Sequence, residues 1–83
     1  MKFKAEIDIM PHAALLDPQG KAVTGAMGNI GLPNIENVRI GKHITLEVEA
    51  ATQQQAEQYV DTACNKLLAN LIMESYTFKV APL

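Results

Sequence analysis

The chain has 83 residues, a formal net charge of −2 and a single cysteine. That length predicts one domain, residues 1–83. The lone cysteine excludes an intrachain disulfide, and the near-neutral charge gives no footing for a nucleic acid held through its phosphates. His12, His43 and Cys64 show no metal-ligand spacing, and no apolar run reaches the roughly 18 residues a membrane span needs. The N-terminal "MKFKAEIDIM" lacks the unbroken apolar run of a secretory signal, so the cytoplasm is the expected compartment. A domain this small buries only about 60–65% of its unfolded surface, and oligomerisation is the expected remedy.

Residues 2–10 alternate strictly. Phe3, Ala5, Ile7 and Ile9 share one face, and Lys2, Lys4, Glu6 and Asp8 the other, the period of a half-buried strand. In "LLDPQGKAV", residues 15–23, Asp17 then Pro18 predicts a helix start, with Asp as N-cap and Pro in the first turn. Ala22, Val23, Ala26, Met27 and Ile30 follow at helical spacing, and Gly31 is the expected stop. Residues 35–42, "IENVRIGK", predict a second strand with Val38 and Ile40 inward. A tight turn at "GKH" leads to a third strand over residues 43–50, where Ile44, Leu46, Val48 and Ala50 alternate with polar residues, making a hairpin. Thr52 and Gln55 predict a capping box, followed by a stripe of Ala56, Tyr59, Val60, Ala63, Cys64, Leu67 and Leu68. Residues 75–80 close the chain with Tyr76, Phe78 and Val80 on one face of a last strand, which Pro82 ends.

The order β-α-β-β-α-β predicts an α+β, ferredoxin-like fold: a four-stranded antiparallel sheet with two helices on one face. Strands one and three would be central. Strands two and four would be edges, open to pairing with another chain.

Candidate chemistry is sparse. Gly20-Lys21 fails as a phosphate loop, because Leu15 stands where the earlier glycine belongs and Ala22 where Ser or Thr belongs. His12 and His43 have the residue type for acid–base work but no partner evident in sequence. Cys64, on an apolar stripe, reads as a small hydrophobe. The carboxylates Glu6, Asp8, Glu47 and Glu49 read as a solvated sheet face balanced by Lys2, Lys4, Arg39 and Lys79. Nothing gathers a nucleophile, a base and an oxyanion site. The residues alone therefore describe a small interaction or binding module.

"LLDPQGKAV", "VRIGK", and "CNKLLAN" followed by "MESY" together resemble the PurS family, the small subunit of phosphoribosylformylglycinamidine synthase. The resemblance runs along nearly the whole chain. Leu71 departs from the proline usual after "LAN", and the loop "GLPNIENV" also differs. The resemblance implies a non-catalytic subunit of de novo purine synthesis with no cofactor of its own. ATP, magnesium and glutamine are used by the large synthetase subunit and the glutaminase subunit, which the small subunit bridges while aiding ammonia transfer. It also implies homodimers or homotetramers, without nucleic acid or membrane. Matched residue by residue, Asp17, Pro18, Gln19, Gly20 and Lys21 fall on the family's helix-start motif, and Arg39, Gly41 and Lys42 on its hairpin. These eight are the candidate partner interface, with Arg39 expected on the polar sheet face. The alternative is a stand-alone, small-molecule-sensing ferredoxin-like domain. An RNA-binding module is disfavoured, because Phe3, Tyr59, Tyr76 and Phe78 all fall on apolar faces.

Overall fold

The computed structural model describes residues 1–83 as three strands and two helices. They are β1 (Lys2–Pro11), α1 (Pro18–Ala26), β2 (Lys42–Glu49), α2 (Gln53–Ala63) and β3 (Glu74–Pro82). The sheet is antiparallel in the order β2-β1-β3. All three strands alternate, and because β1 lies between two neighbours its inner residues Phe3, Ala5, Ile7 and Ile9 are fully buried while the residues between them are exposed. In register, Ala5 faces Leu46 on one side and Val80 on the other, and Ile7 faces Ile44 and Phe78.

α2 covers this inner face. Thr52 caps it by accepting from the Gln55 N–H (3.1 Å), while the Gln55 side chain accepts from Ala51 N–H (2.8 Å). This is a capping box moved one residue outward. Ala56, Val60 and Cys64 are buried one turn apart against β1. Of the predicted stripe, Leu68 also packs on this core, whereas Tyr59 is 49% exposed. From Cys64 the helix widens to a π turn, Cys64–Leu68, which rotates the following side chains and leaves Leu67 81% exposed.

The expected four-stranded sheet is corrected to three strands. Residues 35–41 form no strand, although Val38 and Ile40 alternate as one would, and the expected hairpin is absent. Their backbone N–H groups are taken elsewhere: Val38 N–H donates to Thr24 Oγ1 (3.0 Å) and Ile40 N–H to Asp17 Oδ2 (2.8 Å). Asn37 adds a left-handed residue, φ 58°, that breaks extension. The strand starting at Lys42 is therefore an edge, not a central strand, and only β1 lies between two neighbours.

The placement of the first helix is also corrected. α1 contributes no residue to either core cluster, so only α2 covers the sheet's inner face. α1 begins at Pro18 as expected, but its last turn tightens to a 3-10 segment, Met27–Ile30, before Gly31 ends it at φ 82°. Residues 12–41 thus form an arm standing off the sheet, and the molecule measures 51 × 27 × 14 Å.

Candidate functional site

Six of the eight candidate residues converge where the arm joins itself: Asp17, Pro18, Gln19, Gly20, Lys21 and Arg39. Asp17 is the centre and is buried. Its Oδ1 accepts from Gly20 N–H (3.0 Å), the N-cap bond, and its Oδ2 accepts from Ile40 N–H (2.8 Å). One carboxylate therefore joins the helix start to the returning loop. The Gly20 amide, then the Ile40 amide, with Arg39 adding charge attraction, hold the Asp17 carboxyl below the usual carboxylate range.

Arg39 does not reach the polar sheet face. Its Nε lies 3.9 Å from Asp17, and its terminal nitrogens donate to the carbonyls of His12 (2.9 Å) and Leu15 (3.3 Å). It braces the two chain segments at the base of the arm. Gly20 and Gly41 are demanded by close approach. A Cβ on Gly20 would stand 2.1 Å from the Val38 carbonyl oxygen, and one on Gly41 would stand 2.2 Å from that of Ile9. Lys42 sits apart from this centre at the start of β2, 3.4 Å from Glu74. Pro18, Gln19 and Lys21 remain exposed on the helix start.

Leu15, Leu16, Asp17, Lys21, Thr24 and Arg39 line a shallow groove of about 450 Å³. The Asp17 carboxylate and the carbonyl-bound guanidinium of Arg39 occupy its polar wall, so its free character is apolar with one exposed lysine. A second hollow of about 220 Å³, between Leu15, Leu16, Asn70 and Met73, adjoins the turn into β3. His12 bridges the two segments: its ring nitrogen lies 3.1 Å from the Leu71 carbonyl, and its N–H donates to that of Met73 (2.9 Å). Leu16, Leu71, Ile72 and Met73 are all exposed around it.

Two pairings escaped the sequence. His43 Nδ1 lies 2.6 Å from Asp8 Oδ1, a cross-strand pair on the outer face that only the register reveals. Tyr76 donates its hydroxyl to Asp61 Oδ1 (2.6 Å), which pushes the phenol up to about 12. Cys64 is fully buried, and burial raises its thiol above the ordinary range, the condition of an unreactive cysteine.

Comparison with known proteins gives one answer. The family model described as "PurS: Phosphoribosylformylglycinamidine (FGAM) synthase" matches residues 4–82. The phosphoribosylformylglycinamidine synthase subunit PurS of Synechocystis sp. is 37% identical over 98% of this chain and 81% of its own length. That of Bacillus subtilis is 33% identical over 94% of this chain and 92% of its own. Among solved structures, the PurS subunit of Thermotoga maritima superposes with a TM-score of 0.89 at 34% identity, covering 98% of this chain and 93% of that one. A chain of the PurLQS structure from the same organism gives a TM-score of 0.89 at 31% identity over 98% and 99%.

Proposed function

The chain belongs to the PurS family and is a subunit of phosphoribosylformylglycinamidine synthase, the glutamine-dependent ligase of purine biosynthesis, and we propose that it joins the complex as a bridge rather than a catalyst. The observation that supports this is the arm. Asp17, Arg39 and Thr24 lock residues 15–40 into a braced projection whose outer residues Leu16, Gln19 and Lys21 are free to meet other subunits. In this reading the synthetase subunit binds ATP, magnesium and the ribonucleotide, and the glutaminase subunit releases ammonia. The present chain seals the seam between them. Ammonia in water at neutral pH is mostly ammonium, which has no lone pair to attack with, so a path closed to water preserves the nucleophile. The chain works as a homo-oligomer in the cytoplasm. A stand-alone sensor is not favoured, since the curated relatives are subunits of one synthase.

The eight candidate residues divide by role. Asp17, Gly20, Arg39 and Gly41 shape the arm. Pro18, Gln19 and Lys21 present its surface, and Lys42 stands off the arm, at the start of β2 beside Glu74. Gln19→Ala and Lys21→Ala, both on exposed side chains, should weaken co-elution with the synthetase and glutaminase subunits from the same source without altering the circular dichroism of the chain alone. Unchanged co-elution of the double variant would remove the helix start from the interface.

A further inference from the structure

A turn between a helix and a strand is ordinarily polar, because it faces water on most sides. The turn from α2 into β3 is not. Leu71, Ile72 and Met73 are consecutive and all exposed, Ile72 to 87%. Across a hollow from them stands Leu16, also exposed. A run of apolar residues in water adds nothing to folding and invites aggregation, so it marks a contact surface. The turn is also rigid, with Asn70 as its hub. Asn70 Oδ1 accepts from Ile72 N–H (3.2 Å), and its carbonyl accepts from Met73 N–H (2.9 Å) and Glu74 N–H (2.7 Å). Its own N–H donates to Glu74 Oε1 (2.8 Å). His12 reaches the Leu71 carbonyl through its ring and the Met73 carbonyl through its N–H. Held this way, the turn loses little freedom on binding.

Charge says what lies opposite. At this end of the molecule Lys21, Arg39, Lys42 and Lys66 outnumber Asp17 and Glu74 by two. The whole chain is −2, which leaves −4 for the rest of it. Asp17 and Glu74 are engaged by Arg39 and Lys42, whereas Lys21 and Lys66 are exposed and make no ion pair. The apolar turn is thus set in a cationic end of an acidic chain, and the surface that complements it carries carboxylates. A second copy meeting the turn about a two-fold axis would bring these cations face to face.

We propose that the 71–73 turn is a docking knob for a partner subunit of the synthase, entering an apolar pocket rimmed by carboxylates. The hollow of about 220 Å³ beside it, between Leu15, Leu16 and Met73, receives an apolar side chain in return. The lysines orient the encounter, and the apolar turn holds it. The proposal rests on the bridging reading above and gives that bridge one of its contacts.

The test measures binding of the whole chain to the synthetase subunit, to the glutaminase subunit and to the two together, at low and high salt. Ile72→Asp should weaken binding to one of them at least tenfold, and Ile72→Ser should do so by a smaller factor without placing a charge on the turn. Lys66→Glu should slow association and reduce its salt dependence. Gln58→Ala, on the exposed face of α2, should change neither. Light scattering of each variant alone should match the parent. Equal affinity of parent and Ile72→Asp overturns the docking knob alone. An Ile72→Asp chain whose own oligomer falls apart while its subunit binding persists assigns the turn to a contact between copies, and also overturns it. A parent chain that binds neither subunit overturns the bridging reading as well.

Discussion

Gly20→Ala and Gly25→Ala are the same substitution in the same helix, and they should have opposite signs. In an open helix position, replacing Gly by Ala stabilises by about 1 kcal/mol. Gly25 is such a position, with nothing within 4 Å of the added Cβ. At Gly20 the Cβ would lie 2.1 Å from the Val38 carbonyl oxygen and 2.5 Å from Asp17 Oδ2. Ordinary contact needs about 3.5 Å, so something must move by more than 1 Å. Neither neighbour is the loose end of a side chain. Val38 is a backbone atom whose own N–H is tied to Thr24 (3.0 Å), and Asp17 is held by two backbone amides. Overpacking of this kind costs about 1–3 kcal/mol, and losing the Val38–Thr24 bond adds about 1. Against the helix gain, Gly20→Ala should therefore destabilise the arm by roughly 1–3 kcal/mol. Hydrogen exchange is the assay, because the arm lies outside both core clusters and local opening reports on it directly. Amides of residues 21–26 and 38–40 should exchange about tenfold or more faster in Gly20→Ala and several-fold slower in Gly25→Ala, with β1 unchanged. Equal or greater protection in Gly20→Ala would refute the close approach of helix and loop.

Gly41→Ala should loosen the joint between arm and sheet for the same steric reason, seen as faster exchange at residues 42–44 and 9–10. Asp17 carries a pH signature: its folded-state carboxyl titrates below the ordinary value, so its contribution is complete above about pH 4 and is lost as pH falls through the folded value. Arm amides should lose protection in acid before those of β1, and Asp17→Asn should flatten that dependence; parallel loss in both regions would contradict it. Tyr76 should ionise near pH 12, followed by phenolate absorbance, and Asp61→Asn should bring that titration down toward the ordinary range. Cys64 should resist thiol reagents until the chain unfolds; rapid labelling of the native chain would contradict its burial.

Most local structure was legible because it depends on neighbours in sequence. Strict alternation over residues 2–10 gives β1, Asp17-Pro18 starts α1, and Thr52 with Gln55 starts α2. The failures share a non-local origin. Residues 35–42 carry a strand's alternation, but whether their N–H groups enter a ladder was decided by Thr24 and Asp17, which lie 14 and 23 residues earlier than the groups they bind. Arg39 reads as a surface charge until the fold brings two carbonyls and a carboxylate to it. The Asp8–His43 pair needs the strand register, which alternation alone does not set. The motif "LDPQGK" mixes two kinds of residue. Asp17 and Gly20 hold the arm together, and Gln19 and Lys21 are what it displays.

The central claim is that this subunit couples ammonia release to its use. The direct measurement is amidine formation by the synthetase and glutaminase subunits from the same source, with and without this chain, fed either glutamine or ammonium chloride. The bridging account predicts that glutamine-dependent activity requires the chain while ammonium-dependent activity changes little. Equal glutamine-dependent activity in its absence would contradict it.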